Sequence, residues 1–160
     1  MPFPLPVNCI YEADRIILSN YLLPMRNSLI EKSIKINASL NKVWRVFTEP
    51  AVTRKMGGEY VTDWKKGSSF GWKGLDGNMY TNGTILRIEN ERLIEHNLFS
   101  SAGEKTIISV ITYTFKESDA LTILHAREDL SAELTDNEYQ QASEGWDIAL
   151  DAVKRTAENL

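Results

Sequence analysis

A single cysteine, Cys9, occurs in the 160 residues, which excludes an intrachain disulfide and a thiolate cluster for zinc. With no export signal evident, a reducing cytoplasm is the expected compartment. Histidine is nearly as scarce: His96 and His125 are the only two, and no His-x-x-x-His or Cys-x-x-Cys spacing exists, so no metal site is expected. Positive charge is not in excess. Eighteen Lys and Arg against 22 Asp and Glu leave a net charge of −4, which argues against a sequence-independent grip on nucleic acid or on an anionic membrane, since no basic surplus is there to neutralise phosphates. A local basic pocket stays open. No apolar run is long enough to cross a bilayer. A glycine-rich phosphate loop at a strand-to-helix junction is also missing, because Gly71, Gly74 and Gly77 fall in a hairpin region. No cofactor is expected.

Proline is almost confined to the start of the chain, at Pro2, Pro4, Pro6 and Pro24, with Pro50 the exception. Residues 1–28 read as an appendage and 29–160 as one domain with its own core. The apolar run over 16–23 is broken by Ser19 and Asn20 and lacks a basic start, a poor signal peptide. Periodic patterning begins only after Met25. Either Met25 is the natural start, or the first 24 residues are a short docking arm, and both readings are open.

What is present is periodic. Over 136–159, Tyr139, Ala142, Trp146, Ala149, Leu150, Val153, Ala157 and Leu160 recur at steps of three and four, the stripe of a long amphipathic helix. Thr135 with Glu138 forms a capping-box pattern at its start. At 1.5 Å per residue such a helix spans roughly 35 Å, enough to cross a small sheet. Gly145 lies mid-helix at a cost of about 1 kcal/mol relative to Ala; a close backbone approach, room for a guest and ordinary drift are the readings open for it.

Upstream, residues 30–37 alternate as a half-buried strand with Ile30, Ile34 and Ile36 on one face. Ser39 can cap a short helix over 40–47, Pro50 starts another, and Gly57-Gly58 ends it. Period-two patterning then predicts strands near 59–64, 68–73, 80–88, 92–99, 106–115 and 120–128. Turns fall at Lys66-Gly67, Asp76-Gly77, Asn90-Glu91, Ala102-Gly103 and Ser118-Asp119. Phe70 and Trp72, then Ile107, Ile111, Tyr113 and Phe115, then Leu121, Ile123 and His125 are expected to face the closing helix. In 92–99 the set Ile94, His96 and Leu98 competes with Leu93 and Phe99 for the inner face. A curved antiparallel sheet of about seven strands must cover its concave side, and only the last helix is long enough to do so. The expected class is α+β.

Several local strings carry a resemblance. They are Ala38-Ser39 with Val43-Trp44 and Thr48-Glu49-Pro50, then Asp63-Trp64-Lys65 with Gly67-Ser68 and Trp72-Lys73-Gly74. Gly83-Thr84-Ile85-Leu86, Thr112-Tyr113, Leu121-Thr122-Ile123 and Gly145-Trp146 follow. In this order the chain resembles the helix-grip (START-like, SRPBCC) superfamily, and within it the members similar to the activator of the heat-shock protein 90 ATPase. Met56 stands where relatives often have Trp, a departure that bears on the shape of a cavity. The resemblance implies a helix-grip fold with a pocket between sheet and long helix that holds apolar or aromatic molecules in many relatives and supports cyclase chemistry in some.

A sheet that curves away from a straight helix leaves a gap that large side chains can line. Candidate liners are Trp64, Phe70, Trp72, Ile111, Tyr113, Ile123, His125, Trp146 and Leu150; filling the core is the competing role for each. Neither histidine pairs in sequence with a carboxylate that would make it a general base, and no catalytic residue is assigned. The acidic run Glu128, Asp129, Glu133, Asp136 and Glu138 reads as helix-start complement and solvated face. Three functions are weighed. Binding a small apolar ligand needs only the fold and a cavity, and leads. A co-chaperone partner of heat-shock protein 90 comes second, because the resemblance covers one module of the activator and the residues upstream are too few for another domain. A cyclase-like enzyme, resting on the two histidines, comes third.

Overall fold

In the computed structural model, which describes residues 27–160, seven strands form one antiparallel sheet in the order β1-β7-β6-β5-β4-β3-β2. The expectations for residues 1–26 lie outside the described residues. The strands are β1 (Leu29–Ile36), β2 (Gly58–Val61), β3 (Ser69–Gly74), β4 (Gly83–Glu89), β5 (Leu93–Phe99), β6 (Ile107–Ser118) and β7 (Leu121–Leu130). Helix α1 (Leu40–Thr48) and the short α2 (Pro50–Thr53), extended by a 3-10 turn at Arg54–Met56, link β1 to β2. The long helix α3 (Asp136–Glu158) closes the chain. This is an α+β helix-grip fold, a curled half-barrel of strands on a helix.

Local chemistry sets the element ends. The Ser39 side chain accepts from the Lys42 N–H and starts α1, and Gly57 in the left-handed region (φ 100°) ends the 3-10 turn. Thr135 and Glu138 form the full capping box: the Glu138 carboxylate accepts from the Thr135 N–H at 2.9 Å, while the Thr135 hydroxyl accepts from the Glu138 N–H at 3.3 Å. These backbone and hydroxyl donors hold the Glu138 carboxyl below the usual carboxylate range.

α3 runs beside β1 in the same direction. The Tyr139 hydroxyl donates to Leu29 O, Lys32 Nζ meets Asp147 at 2.9 Å, Lys154 Nζ donates to Lys35 O, and the Asn37 N–H donates to Glu158. The lengths match: from Tyr139 to Glu158 a helix advances about 28 Å, and from Leu29 to Asn37 a strand advances about 26 Å. Such exposed polar tethers contribute about 0–1 kcal/mol each, whereas burying a Leu or Val side chain contributes about 1.5–3 kcal/mol. Stability of the docked helix therefore comes from Leu150, Val153 and Ala157, all buried, and the tethers fix its direction.

The inner face of the sheet differs from expectation on two strands. On β7 the residues turned inward are Thr122, Leu124, Ala126 and Glu128, while Leu121, Ile123 and His125 lie on the convex face. The cause is the hairpin before it. Ser118 pairs with Leu121, so the two turn residues are Asp119 and Ala120, both with positive φ (49° and 64°), the conformation of a type I′ turn. That register places Ala126 opposite the inward Tyr113, and reading the turn one residue earlier flips every side chain of the strand. Thr122 tolerates complete burial because its hydroxyl donates to Ala38 O at 2.8 Å. On β6, a register shift between Leu98 and Phe99 of its partner turns Ile107 out to 46% exposure. The β5 ambiguity is resolved: Ile94 and His96 are buried, with Leu98 packed on the core.

Tyr80 and Thr81 precede β4 rather than opening it, and the backbone makes its closest approach at Gly83, where a Cβ would lie 1.9 Å from Asn97 O. Gly145 is the opposite case, exposed and with open space around the Cβ position. It neither permits a close approach nor makes room for a guest. Gly83→Ala should destabilise the domain by about 2 kcal/mol or more through forced backbone displacement, and Gly145→Ala should stabilise it by about 0.5–1 kcal/mol. Urea unfolding of the two variants checks both signs.

Candidate functional site

Between α3 and the far half of the sheet, the curvature leaves a cavity of about 230 Å³. Tyr60 of β2, Trp72 of β3 and Tyr113 of β6 wall it on the sheet side, Phe47 of α1 and Met56 of the 3-10 turn close one end, and Trp146, Ala149, Leu150, Ala152 and Val153 of α3 form the other wall. No charged side chain is among these liners. The walls hold each other in place by ring contacts: Phe47 stacks on Tyr60 at 6.0 Å and meets Tyr113 edge-on at 4.9 Å, Tyr60 meets Trp72 at 5.0 Å, and Tyr113 lies 5.8 Å from Trp146. Edge-to-face pairs of this kind contribute about 0.5–1.5 kcal/mol each beyond burial, so the wall is preformed and rigid on the sheet side.

Met56 and Ala152 also line a neighbouring, more polar recess with Lys55, Arg155, Thr156 and Asn159. Met56 thus stands at the partition between the apolar cavity and that recess. Its unbranched thioether side chain makes that partition adaptable.

Of the side chains expected at the site, Trp72, Tyr113, Trp146 and Leu150 converge on the cavity. Phe70 and Ile111 are buried core residues beside it, with Phe70 stacked 3.9 Å from the His96 ring. Trp64, on left-handed backbone (φ 53°) beyond the end of β2, lines a separate cleft with Trp44 and Ile88. Ile123 and His125 do not reach the cavity, being on the convex face. Sequence reasoning missed Phe47, Met56, Tyr60, Ala149, Ala152 and Val153 as liners. Ala149 and Val153 lie on the helical stripe, and Tyr60 shares a face with Trp72, its partner in the β2–β3 register.

Glu128 also departs from the solvated role read for it. It sits on the inner face of β7, and its carboxylate accepts the Trp146 indole N–H at 2.7 Å. This bond fixes the ring against the cavity. Tyr60 and Tyr113 are the other polar-tipped liners: burial pushes the Tyr60 phenol up to about 12, and burial together with the neighbouring Tyr60 and Glu128 holds the Tyr113 phenol well above its usual value. Both are protonated at neutral pH.

The histidines bring no paired acid and base to the cavity. His125 is half-exposed, with Nδ1 2.8 Å from Ser33 Oγ and Nε2 3.5 Å from Glu31. Those are the members of a hydrolytic triad, but on an open face where water screens them. His96 is 3% exposed, its Nδ1 3.1 Å from Asn97 O, and burial lowers its pKa to about 4. Among the described residues no group of three or more His, Cys, Asp or Glu is placed to hold a metal ion.

Residues 37–158 match the family model for activator of Hsp90 ATPase homolog 1-like proteins. The chain belongs to that family. Solved structures agree with the assignment. ChR145 from Cytophaga hutchinsonii is 26% identical, with a TM-score of 0.69 over 86% of this chain and 97% of that one. DynU16, described as a putative protein in the dynemicin biosynthetic locus, is 16% identical with a TM-score of 0.71 over 82% of this chain and 48% of its own. The Aha1 dimer from Colwellia psychrerythraea is 16% identical with a TM-score of 0.68 over 81% and 96%. No curated protein matches the sequence. No helix among the described residues is long and apolar enough to cross a membrane.

Because the folded-state pKa of His96 lies below the unfolded value of about 6.5, the unfolded chain binds the proton first. Stability contributed by neutral His96 should be complete above pH 6.5 and fall by about 3 kcal/mol as pH drops to 4. NMR titration of the folded protein should show the His96 ring uncharged until pH approaches 4, while urea midpoints decline from pH 6.5 downward.

Proposed function

We propose that this protein binds a small apolar or aromatic molecule in the cavity between the sheet and α3. The observation that carries the reading is the uncharged, aromatic-walled space of about 230 Å³, kept open although Phe47, Tyr113 and Leu150 around it are buried. An apolar cavity of about 150 Å³ holds benzene, so this one suits a guest of one ring or two fused rings. Below the roughly 300 Å³ typical of drug-sized sites, it excludes larger polycyclic molecules unless Met56 moves. No acid–base pair faces the cavity, which favours binding over catalysis. DynU16, described as a putative protein in the dynemicin biosynthetic locus, has the same fold, which is consistent with ligand binding.

The second reading, regulation of the Hsp90 ATPase, rests on the description of the family.

A thermal-shift panel of indane, 1-indanone and naphthalene tests the first reading. At ten times its dissociation constant a ligand adds about 1.4 kcal/mol, which is about 3–6 °C for a domain of this size. Ala149→Phe, placed on the open side of α3, should fill the space and abolish the shift with little change in the unliganded melting temperature. No shift from any compound, with stimulation of an Hsp90 ATPase by the same preparation, would replace this reading with the second.

A further inference from the structure

The apolar cavity has a polar neighbour. Met56 and Ala152, two of its liners, also line the recess that contains Lys55, Arg155, Thr156 and Asn159, so the two spaces adjoin across one flexible thioether side chain and one methyl group. Their chemistry is opposite. The cavity holds no charged liner, whereas the recess, of about 410 Å³, has two cations and no acid among its liners. The Arg155 guanidinium meets Asp151 at 2.9 Å, and the Arg155 carbonyl accepts from the Asn159 amide at 2.7 Å. Lys55 is exposed and, among the described residues, its ammonium forms no ion pair or hydrogen bond. Glu49, the acid within its field, is bonded instead to Arg45 at 2.6 Å, and the adjacent Arg54 is bound to Glu59 at 2.7 Å. The recess therefore keeps an uncompensated positive charge on a flexible stem.

Spacing along α3 sets the shape of a guest that uses both spaces. The cavity liners on this helix centre on Leu150 and the recess liners on Arg155 and Thr156, which is an advance of about 8 Å. An acid attached directly to a ring in the cavity would lose its hydration with no counter-charge beside it. An acid on a spacer of three methylenes spans most of the distance to the recess. Resting on the ligand-binding reading, we propose that the guest is an aryl-alkanoic acid or a similar amphipathic anion: its ring fills the cavity, its chain passes Met56, and its carboxylate meets Lys55, with Arg155 adding to the field. An ion pair partly open to water contributes little affinity. Its effect is to set the sign of the charge accepted and the length of the spacer.

The probes are 4-phenylbutanoate, 4-phenylbutanamide and 4-phenylbutylammonium, which share ring and spacer and differ in head-group charge, and benzoate, which lacks the spacer. Dissociation constants are read from two resonances, the Trp146 indole N–H for the ring and the Thr156 backbone N–H for the head group. The carboxylate should bind roughly three- to tenfold more tightly than the amide, the ammonium should bind more weakly than the amide, and benzoate should bind more weakly than 4-phenylbutanoate. Raising the salt from about 0.05 to about 0.5 M should shrink the advantage of the carboxylate over the amide. Lys55→Glu, at an exposed position, should invert the order so that the ammonium binds more tightly than the carboxylate, which also shows that the ring still binds. If that variant does not fold, the wild-type order and its decline with salt test the proposal without it. Equal binding of carboxylate and amide by the wild type, or an unchanged order in Lys55→Glu, overturns the head-group assignment and leaves the ligand-binding reading standing. Binding of none of the four compounds overturns both.

Discussion

The docking of α3 along β1 is the constraint on which the rest of the molecule depends. The sheet is curled and α3 is fastened along its β1 edge, while β2 and β3 stand at the other end of the strand order, across the cavity. Tethers from Tyr139 near its start to Glu158 at its last residue hold it to that edge. Burial of Leu150, Val153 and Ala157 supplies the energy, and the remaining gap is the cavity. Moving the helix toward β3 would fill the gap but would pull those side chains from the core against β6 and β7.

The gap persists because its walls cannot collapse into it. Phe47, Tyr60, Trp72 and Tyr113 are fixed by mutual ring contacts, and Trp146 is held by Glu128 from the opposite side. Replacing an inward carboxylate and indole with aliphatic residues would give a simpler core; their pairing instead orients a ring at the cavity edge. The same buried setting that leaves His96 uncharged at neutral pH keeps both phenols protonated. Met56, set between the cavity and the polar recess, is the one wall element without a rigid ring on its side of α3.

Family membership narrows the fold more than the function. The matched region spans 37–158 and includes every element of the cavity, yet relatives of this shape bear descriptions as different as a protein of a biosynthetic locus and an Aha1 dimer. In a shared fold, function resides in the particular side chains of the site.

The sequence by itself determined the element order, the caps and the class of fold. Helical periodicity from Tyr139 to Leu160, the Thr135–Glu138 box, the glycine turns and the alternation on β1 are local signals, and local hydrogen bonding makes them sufficient. Trp72, Tyr113, Trp146 and Leu150 were legible as cavity residues because each stood on a clearly periodic face. Tertiary structure alone decided the rest. The inward face of β7 depended on whether the turn was centred at Ser118-Asp119 or at Asp119-Ala120, and a strand apolar on both faces carries no pattern to choose. Glu128 looked like part of an acidic surface until register put it opposite Ile111 and beneath Trp146. Tyr60 of β2 and Tyr113 of β6, more than fifty positions apart, reach the same cavity and both meet the Phe47 ring, a convergence set by the curl of the sheet, which no local pattern encodes.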